Sequence, residues 1–138
     1  MIDSFRQEYY FLSNFYHVEV EYDGITYKNS EAAFQAQKVL TNAEKQTFAD
    51  LSPREARNLG RKVKLRDDWN EVKDKYMYEI CKAKFTQHKD LAEKLIETGN
   101  KKLVEGNTWN DTYWGICEGK GKNQLGKTLM KIREELRS

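Results

Sequence analysis

The sequence predicts a mainly α-helical fold with one small β-hairpin near its N-terminus. Most of the chain consists of short segments that carry the start and stop signals of helices, and a single early stretch alternates as strands do. The chain has 138 residues, the size of one ordinary domain, and it contains no repeat, linker or low-complexity tract. We therefore expect one multihelical domain over residues 1–138.

The hairpin is predicted in the stretch VEVEYDGITYK. Apolar residues alternate with polar ones through Val18 and Val20, and the pattern resumes with Ile25 and Tyr27. The Asp-Gly pair between the two halves is a strong signal for a tight turn. A second and weaker candidate strand is the segment KKLVEG.

Three shorter helices are predicted from their caps. In SEAAFQAQKVL, Ser30 is the expected N-cap of an alanine-rich helix. In SPREARNLG, Ser52 and Glu55 form a capping box, and Gly60 is the expected stop. The segment DLAEKLIETG predicts a further helix that ends at a glycine.

Two longer helices are predicted from apolar residues that recur every three or four positions. In DDWNEVKDKYMYEICKAKF, the predicted buried stripe consists of Trp69, Val72, Tyr76, Ile80 and Ala83. In the final segment, NQLGKTLMKIREELRS, it consists of Leu125, Leu129, Ile132 and Leu136.

Composition excludes several classes of protein. Lys plus Arg number 24 against 22 Asp plus Glu, so the net charge of +2 does not by itself indicate a nucleic-acid or membrane partner. Cys81 and Cys117 lack CxxC spacing, which favours reduced thiols in a cytoplasmic protein. No apolar run reaches the length of a membrane span, and His17 and His88 are isolated. We expect no membrane contact, no metal and no cofactor.

The segment GKNQLGKT, from Gly121 to Thr128, matches the P-loop pattern GxxxxGK[ST]. A P-loop follows a buried strand, whereas the preceding residues here, YWGICEGK, contain two glycines and two charges. An aspartate at the end of a second apolar strand, which would bind magnesium, is also missing. The sequence therefore argues against an NTPase and predicts that Gly126, Lys127 and Thr128 are ordinary first-turn residues of the last helix.

A polar ridge in SEAAFQAQK is the first candidate site. Glu31, Gln35 and Lys38 stand at i, i+4 and i+7, so on a helix they share one face, and small alanines beside them allow a ligand to approach closely. The alternative is an ordinary solvated stripe. Asn14, between aromatic residues in FLSNFY, is a further candidate substrate-binding residue.

The aromatic and polar segment NTWNDTYWGI is the second candidate site. Asn110, Asp111 and Trp114 combine side chains that hydrogen-bond a sugar with one that stacks on a flat ring. The alternative is a loop whose aromatic residues fill the core.

A basic loop, EGKGKNQ, is the candidate phosphate site. Lys120, Lys122 and Asn123 precede the last helix, where free backbone amides and the helix dipole favour an anion. Arg61, just after a helix end, is a second candidate. The alternative is a flexible, solvated loop.

Taken together, these segments resemble the YbiA-like proteins, also called the NADAR family after a proposed link to NAD and ADP-ribose. The matching motifs occur in order over nearly the whole chain: FLSNF, SEAAFQAQK, SPREARNLGR, LRDDWNEVK, AKF, KLVEGNTWNDTYWG and GKGKNQLGKTLMKIREEL. The resemblance implies a mainly helical fold and N-glycosidase chemistry. In the family, some members cleave the ribose C1–N bond of early riboflavin-pathway intermediates, and others remove ADP-ribose from guanine in nucleic acid.

The resemblance also implies roles for matching residues. The family's glutamate in the SE step falls on Glu31, its tryptophan on Trp69 and its acid in the NDxYWG step on Asp111. Lys38 ends the FQAQK segment, and a lysine that forms a Schiff base with the opened ribose has been proposed in the family. Trp69 fits a core role as well as stacking. The alanine pair after Glu31 departs from relatives that carry a bulky aromatic residue or histidine there, so the leaving base is not implied.

The implied chemistry suits two carboxyl groups. Cleaving an N-glycosidic bond builds positive charge on C1 and requires a proton on the leaving nitrogen. As a hypothesis, one of Glu31 and Asp111 stabilises C1 or orients water while the other handles the proton. The expected partner is a phosphoribosyl or ADP-ribosyl small molecule, with ADP-ribosylated nucleic acid as an alternative. The rival class is a non-catalytic module that binds a nucleotide or ADP-ribose; retention of both acids favours the enzyme.

Overall fold

The computed structural model describes all 138 residues, and the chain divides into two compact units. The central unit is Asn14–Gln87, and the terminal unit joins Met1–Ser13 to His88–Ser138. Helices dominate both units, and an antiparallel hairpin lies near the N-terminus, so the predicted fold class is confirmed. The extent of the domain, residues 1–138, stays a prediction. No helix is long and apolar enough to span a membrane.

The central unit begins with the predicted hairpin. Strand β1, Val20–Tyr22, pairs antiparallel with strand β2, Ile25–Tyr27. Asp23 and Gly24 connect them with φ values of 52° and 85°, the left-handed conformation that an Asp-Gly turn adopts readily. Four helices follow: α1 Ser30–Ala36, α2 Asn42–Gln46, α3 Pro53–Gly60 and α4 Trp69–Gln87.

Helix α1 differs from its prediction at both ends. Its N-cap is Asn29, whose side chain accepts a hydrogen bond of 2.8 Å from the backbone amide of Ala32, and Ser30 is already helical. The helix ends at Ala36, so Lys38 does not continue a helical ridge from Glu31 and Gln35. The i to i+7 geometry that the spacing predicted is therefore wrong for Lys38.

Helix α3 has the predicted capping box between Ser52 and Glu55. The helix ends at Gly60, as predicted, but Gly60 does not take the left-handed conformation of a helix-ending glycine. A Cβ at Gly60 would lie 2.0 Å from Oε1 of Gln35 on α1. The glycine is therefore required because α1 and α3 approach each other so closely at this point.

Helix α4 forms as predicted, but its buried stripe is partly different. Val72, Tyr76 and Ala83 are only partly covered. The Tyr76 hydroxyl accepts a hydrogen bond of 3.2 Å from the Arg66 guanidinium. Trp69 and Ile80 are buried as predicted, and α4 also buries Met77, Cys81, Lys84 and Phe85.

The terminal unit contains a 3-10 helix, Gln7–Leu12, and helices α5, Lys89–Glu97, and α6, Gln124–Leu136. A short parallel pair joins β3, Gly106–Asn107, to β4, Ile116–Cys117. The predicted strand KKLVEG is reduced to a single bridge between Leu103 and Ile2 before β3 begins. Helix α6 buries Leu125, Leu129 and Ile132, as its periodicity predicted, whereas Leu136 is only partly covered.

The segment that spells a P-loop has a different structure. The backbone amides of residues 122–125 donate to the carbonyls of residues 112–115, at 2.8–3.3 Å, and so close the N-terminus of α6. A Cβ at Gly126 would lie 2.2 Å from the carbonyl oxygen of Leu103, which explains this glycine by packing. The amides that would cradle a phosphate in a P-loop are therefore already used within the chain.

Candidate active site

The carboxylate of Glu31 is the centre of the candidate site in the central unit. Its side chain is almost fully buried, with the residue 5% exposed. Oε2 accepts a hydrogen bond of 2.7 Å from Nε2 of Gln35 and lies 3.8 Å from Nε of Arg57. A buried carboxylate with an amide donor and a cation beside it is not a solvated stripe, so that alternative is wrong.

Asn14 holds the start of α1 in place. Its carbonyl oxygen accepts from the backbone amide of Glu31 at 3.1 Å, and its Oδ1 accepts from the Ser30 hydroxyl at 3.2 Å. Its Nδ2 donates to Sδ of Met77 at 3.2 Å. Because these bonds occupy the buried side chain, Asn14 positions Glu31; its contact with substrate stays a prediction.

Gln35 links the carboxylate to the contact between α1 and α3. Its Nε2 donates to Glu31, while its buried Oε1, which has no donor within the protein, faces the backbone of Gly60. A side chain held from both sides has little freedom, so it fixes the position of the Glu31 carboxylate.

Gly60→Ala is expected to weaken both folding and activity by displacing Gln35. The new methyl group cannot occupy the space of Oε1, and such overpacking costs about 1–3 kcal/mol. We expect a lower free energy of unfolding in urea and a lower kcat. In a double-mutant cycle with Gln35→Ala, the cost of Gly60→Ala should largely disappear. Strictly additive costs would show that the methyl group clashes elsewhere.

Lys38 lies just after α1 and is partly buried. Its Nζ is 5.9 Å from the ring of Trp69. Burial lowers the pKa of Lys38; the Glu31 carboxylate opposes this, and the Arg61 and Arg57 guanidinium groups add to it. A lysine with a lowered pKa has more of the neutral amine that acts as a nucleophile.

Trp69 is largely buried at the first position of α4. Its ring packs at a tilt against Phe34, with centroids 5.2 Å apart, and also faces the amine of Lys38. Trp69 therefore has the core role that was one of its two predicted roles, and it also forms part of the environment of Lys38. Stacking on a substrate stays a prediction.

Arg57 is a residue of this site that the sequence reasoning missed. Its guanidinium carbon lies 4.6 Å from the ring centroid of Phe15, and its Nε faces Glu31. The available signal was spacing, because Arg57 and Arg61 stand at i and i+4 on SPREARNLGR, with Arg61 as the C-cap of α3. We call Glu31, Lys38, Arg57 and Arg61 the charged cluster.

Lys84 was also missed, since hydropathy does not predict a buried lysine. Its side chain is fully buried, with Nζ 5.6 Å from the ring centroid of Tyr16 and 5.1 Å from that of Phe85. Burial lowers the pKa of Lys84 to about 8, an effect that Cys81 opposes. Burial also raises the pKa of the Cys81 thiol to about 12, so this thiol is protonated and unreactive at neutral pH.

Lys84 is expected to contribute a rise in stability with pH between about 8 and 10, which is clearest up to about pH 9. Below about pH 8 the Lys84 amine is charged even in the folded protein, where burial makes that charge costly. Above about pH 8 the folded amine loses its proton, whereas the amine of the unfolded chain keeps its proton up to a pKa of about 10.4. The unfolded state therefore binds more protons in this window, and the gain reaches about 2–3 kcal/mol. Urea unfolding at several pH values measures it, and Lys84→Met should flatten the rise. Two buried groups act in the opposite direction because burial raises the pKa of each to about 12: Cys81 acts above about pH 9, and Tyr27 only above about pH 10.

In the terminal unit, Asp111 organises the loop between β3 and β4. Its Oδ1 accepts from the backbone amides of Tyr113 and Trp114, at 3.2 and 2.9 Å. Asn107 holds the backbone of Asp111 from the other side, because its Nδ2 donates to the Asp111 carbonyl and its Oδ1 accepts from the Asp111 amide. One carboxylate oxygen therefore caps the loop.

The aromatic residues of this loop do not fill the core. Trp109 is 51% exposed, Trp114 is partly covered, and Trp114 packs edge-on against Tyr113 with centroids 4.8 Å apart. Asn110 is exposed and adopts a left-handed backbone with φ of 64°. The core-filling alternative is therefore wrong for Trp109, and aromatic surface remains available to a ligand.

The basic loop offers side chains but few amides. Lys120 and Lys122 are exposed, and Nζ of Lys122 lies 5.3 Å from the Tyr113 ring. The backbone amides of both lysines donate to carbonyls of the chain, so these two amides are not free for an anion, and phosphate binding by the loop stays a prediction. Asn123 is buried; its Nδ2 donates to the Leu103 carbonyl and its Oδ1 accepts from the Glu105 amide. Its side chain has a structural task.

The predicted site residues thus fall into two sets. The central unit contains Asn14, Glu31, Gln35, Lys38, Arg61 and Trp69. The terminal unit contains Asn110, Asp111, Trp114, Lys120, Lys122 and Asn123. No group of three or more His, Cys, Asp or Glu side chains is arranged to hold a metal ion.

Comparison with known proteins gives close matches over almost the whole chain. The chain is 42% identical over 137 residues to N-glycosidase YbiA of Escherichia coli, which covers 96% of this chain and 85% of that protein. The NMR structure of the E. coli protein YbiA matches with a TM-score of 0.86 at 39% identity, over 99% of this chain and 87% of that one. A riboflavin biosynthesis protein of Vibrio vulnificus is 35% identical over 130 residues, which are 91% of this chain but 35% of that larger protein.

The fold and these relatives define the class of protein: the chain is a hydrolase that acts on N-glycosyl bonds. Residues 3–137 match the family model described as the NADAR domain. The chain therefore belongs to the NADAR family.

Proposed function

We propose that the protein hydrolyses the ribose C1–N bond of phosphoribosylated substrates, such as ribosylaminopyrimidine phosphate intermediates of riboflavin biosynthesis. The products are ribose 5-phosphate and the free base. The observation that carries the proposal is the buried Glu31 carboxylate, fixed by Gln35 and faced by cations. The name of the Vibrio relative supports the link to riboflavin biosynthesis.

Glu31 suits the stabilisation of positive charge at C1. The departing base leaves C1 electron-poor, and a carboxylate held in place and shielded from water stabilises that charge strongly. The nearby Arg57 guanidinium favours the ionised carboxylate that this role requires. Asp111 is the proposed second carboxyl group and handles the proton of the leaving nitrogen.

Lys38 offers a covalent route to the same products. Its neutral amine attacks C1 as the C1–N bond to the base breaks, and the base leaves with a proton. Opening of the ribose ring then gives an imine between C1 and Nζ, which water hydrolyses to the aldehyde form of ribose 5-phosphate. The lowered pKa of Lys38 makes the attacking amine available nearer to neutral pH.

Borohydride trapping is expected to give a covalent adduct on Lys38. Reduction of the imine fixes the sugar to the amine, and peptide mass spectrometry locates the added mass. Lys38→Arg keeps a positive charge but cannot form the imine, so it should give no adduct. Turnover without any adduct in the wild type would leave direct attack by water as the mechanism.

The activity is tested by incubating the purified protein with a ribosylaminopyrimidine phosphate, NAD, ADP-ribose and ADP-ribosylated DNA. We expect mass spectrometry to detect released base and ribose 5-phosphate from the first substrate. Release of ADP-ribose from the DNA alone would instead identify the nucleic-acid activity. Release from none of the four would contradict the proposed substrates and favour the non-catalytic binding module.

A further inference from the structure

The charged cluster contains more positive than negative charge. Besides burial, the Arg61 and Arg57 guanidinium groups lower the pKa of the Lys38 amine, and the Glu31 carboxylate opposes them. Three cations and one carboxylate leave a surplus of two positive charges when all four groups are ionised. Like charges held together repel one another, so this arrangement favours an anionic ligand of matching charge.

Helix α3 sets the direction in which these cations extend from the carboxylate. Arg57 faces Glu31, and Arg61, the C-cap of α3, follows four residues later. Its backbone amide donates to the Arg57 carbonyl at 3.2 Å, so Arg61 continues the helical turn about 6 Å further along the axis. Gly60, next to Arg61, allows α3 to pack closely against α1. The backbone that carries the two arginines is therefore fixed relative to Glu31. The cations thus lead away from the buried carboxylate along one line.

The exposure of the two arginines and the chemistry of their guanidinium groups both favour binding of an anion from solvent. The Arg57 side chain is 34% exposed and Arg61 is exposed, whereas the Glu31 side chain is only 7% exposed. Phe15 supports the flat face of the Arg57 guanidinium, which leaves its edge for hydrogen bonding. Arginine binds phosphate in a bidentate manner through that edge, and a phosphomonoester carries about −1.5 to −2 charges at neutral pH.

We propose that Arg57 and Arg61 form the subsite that binds the 5-phosphate of the substrate. This proposal rests on the proposed function, because it places the ribose between the phosphate and the Glu31 carboxylate. It also assigns substrate selection to the cluster: phosphorylated ribosides are preferred to unphosphorylated ones. Lys38 stays beside C1, where its amine is available for attack.

The competing phosphate site is the basic loop of Lys120 and Lys122. The backbone amides of Lys120 and Lys122 are used within the chain, and the side chains of both lysines are exposed. Separate exposed lysines hold a phosphate less well than a pair of arginines one helical turn apart, because each contributes a single mobile charge. The structure therefore favours the arginines.

The first test measures how much the 5-phosphate contributes to turnover. For each variant, kcat/KM is compared between a ribosylaminopyrimidine 5-phosphate and the same riboside without phosphate. The wild-type preference for the phosphorylated substrate is expected to fall at least about tenfold in Arg57→Ala and in Arg61→Ala, which is the scale of one charged hydrogen bond. Arg54→Ala, an exposed arginine in the first turn of α3, should keep the wild-type ratio.

Three outcomes would overturn the subsite. Equal losses on both substrates would show that the arginines act structurally. An equal loss in Arg54→Ala would indicate general surface charge. A loss of phosphate preference in Lys120→Ala with Lys122→Ala, with the arginine variants unchanged, would place the phosphate on the basic loop.

The second test uses binding without turnover, so that the subsite and the proposed function fail separately. Calorimetry should show tighter binding of ribose 5-phosphate than of ribose, and the difference should disappear in Arg57→Ala and Arg61→Ala. Arginine-dependent binding without hydrolysis would support the subsite and contradict the proposed function. Hydrolysis with equal affinity for the two sugars would support the function and overturn the subsite.

Discussion

Glu31→Gln is expected to lower kcat at least about a hundredfold while the protein stays folded. The glutamine has the same size, and its side-chain oxygen can still accept the bond from Nε2 of Gln35. What disappears is the negative charge that, in the proposed mechanism, stabilises C1, and charge stabilisation of this kind contributes at least two orders of magnitude. The loss should therefore lie in kcat, measured under saturating substrate.

Folding should change little, because two opposing effects nearly cancel. The Glu31–Arg57 pair is loose, at 3.8 Å, and its arginine is a third exposed, so its loss costs only about 0–1 kcal/mol. Removing a buried charge also saves its desolvation cost. Thermal unfolding should then show a Tm close to that of the wild type.

Glu93→Gln on α5 is the matched control, because Glu93 is exposed and its substitution is the same chemical change. It should leave both kcat and Tm unchanged. Ribose 5-phosphate should also bind Glu31→Gln at least as tightly as the wild type, because the cations lose their opposing charge. If Glu31→Gln kept the wild-type kcat, the Glu31 carboxylate would have no role in the reaction.

Local signals explain which parts of the fold were predictable. The hairpin turn at Asp23-Gly24 and the capping box of Ser52 depend on neighbouring residues alone, and both formed as predicted. The end of α1 and the role of Gly60 depend on how α1 meets α3, which no local pattern encodes. Sequence reasoning therefore placed the helices better than their contacts.

The candidate site shows the same limit. Glu31 and Gln35 were correctly placed on one helical face, and their side chains are in fact bonded. Arg57 was missed because its importance comes from facing Glu31 across two helices, and Lys84 because a buried lysine looks like a surface residue in a hydropathy pattern. Residue types and order identify the family, whereas the charge balance of the cluster requires coordinates.

Asp111→Asn is expected to lower kcat at least about a hundredfold through charge alone. The Asn side chain keeps an oxygen that can accept from the amides of Tyr113 and Trp114, so the loop should hold its shape. In the proposed mechanism the Asp111 carboxyl group transfers a proton to the leaving nitrogen, which an asparagine amide cannot do. Substrate affinity should change less than kcat.

Asp111→Ala separates the proposed proton-handling role from the observed loop-capping role. Alanine removes the charge and also both loop-capping bonds, which together contribute about 1–3 kcal/mol. We therefore expect the same loss of kcat as in Asp111→Asn, together with a clear fall in Tm that Asp111→Asn does not show. Asp90→Asn, on the exposed first turn of α5, is the control and should change neither quantity.

The two variants distinguish a chemical role from a structural one because they share the loss of charge and differ only in the cap. If Asp111→Asn keeps wild-type kcat while Asp111→Ala loses both kcat and Tm, the residue shapes the loop and donates no proton. Glu31 would then be the only carboxyl group in the proposed mechanism. The leaving nitrogen would have to take its proton from water or from the Lys38 ammonium.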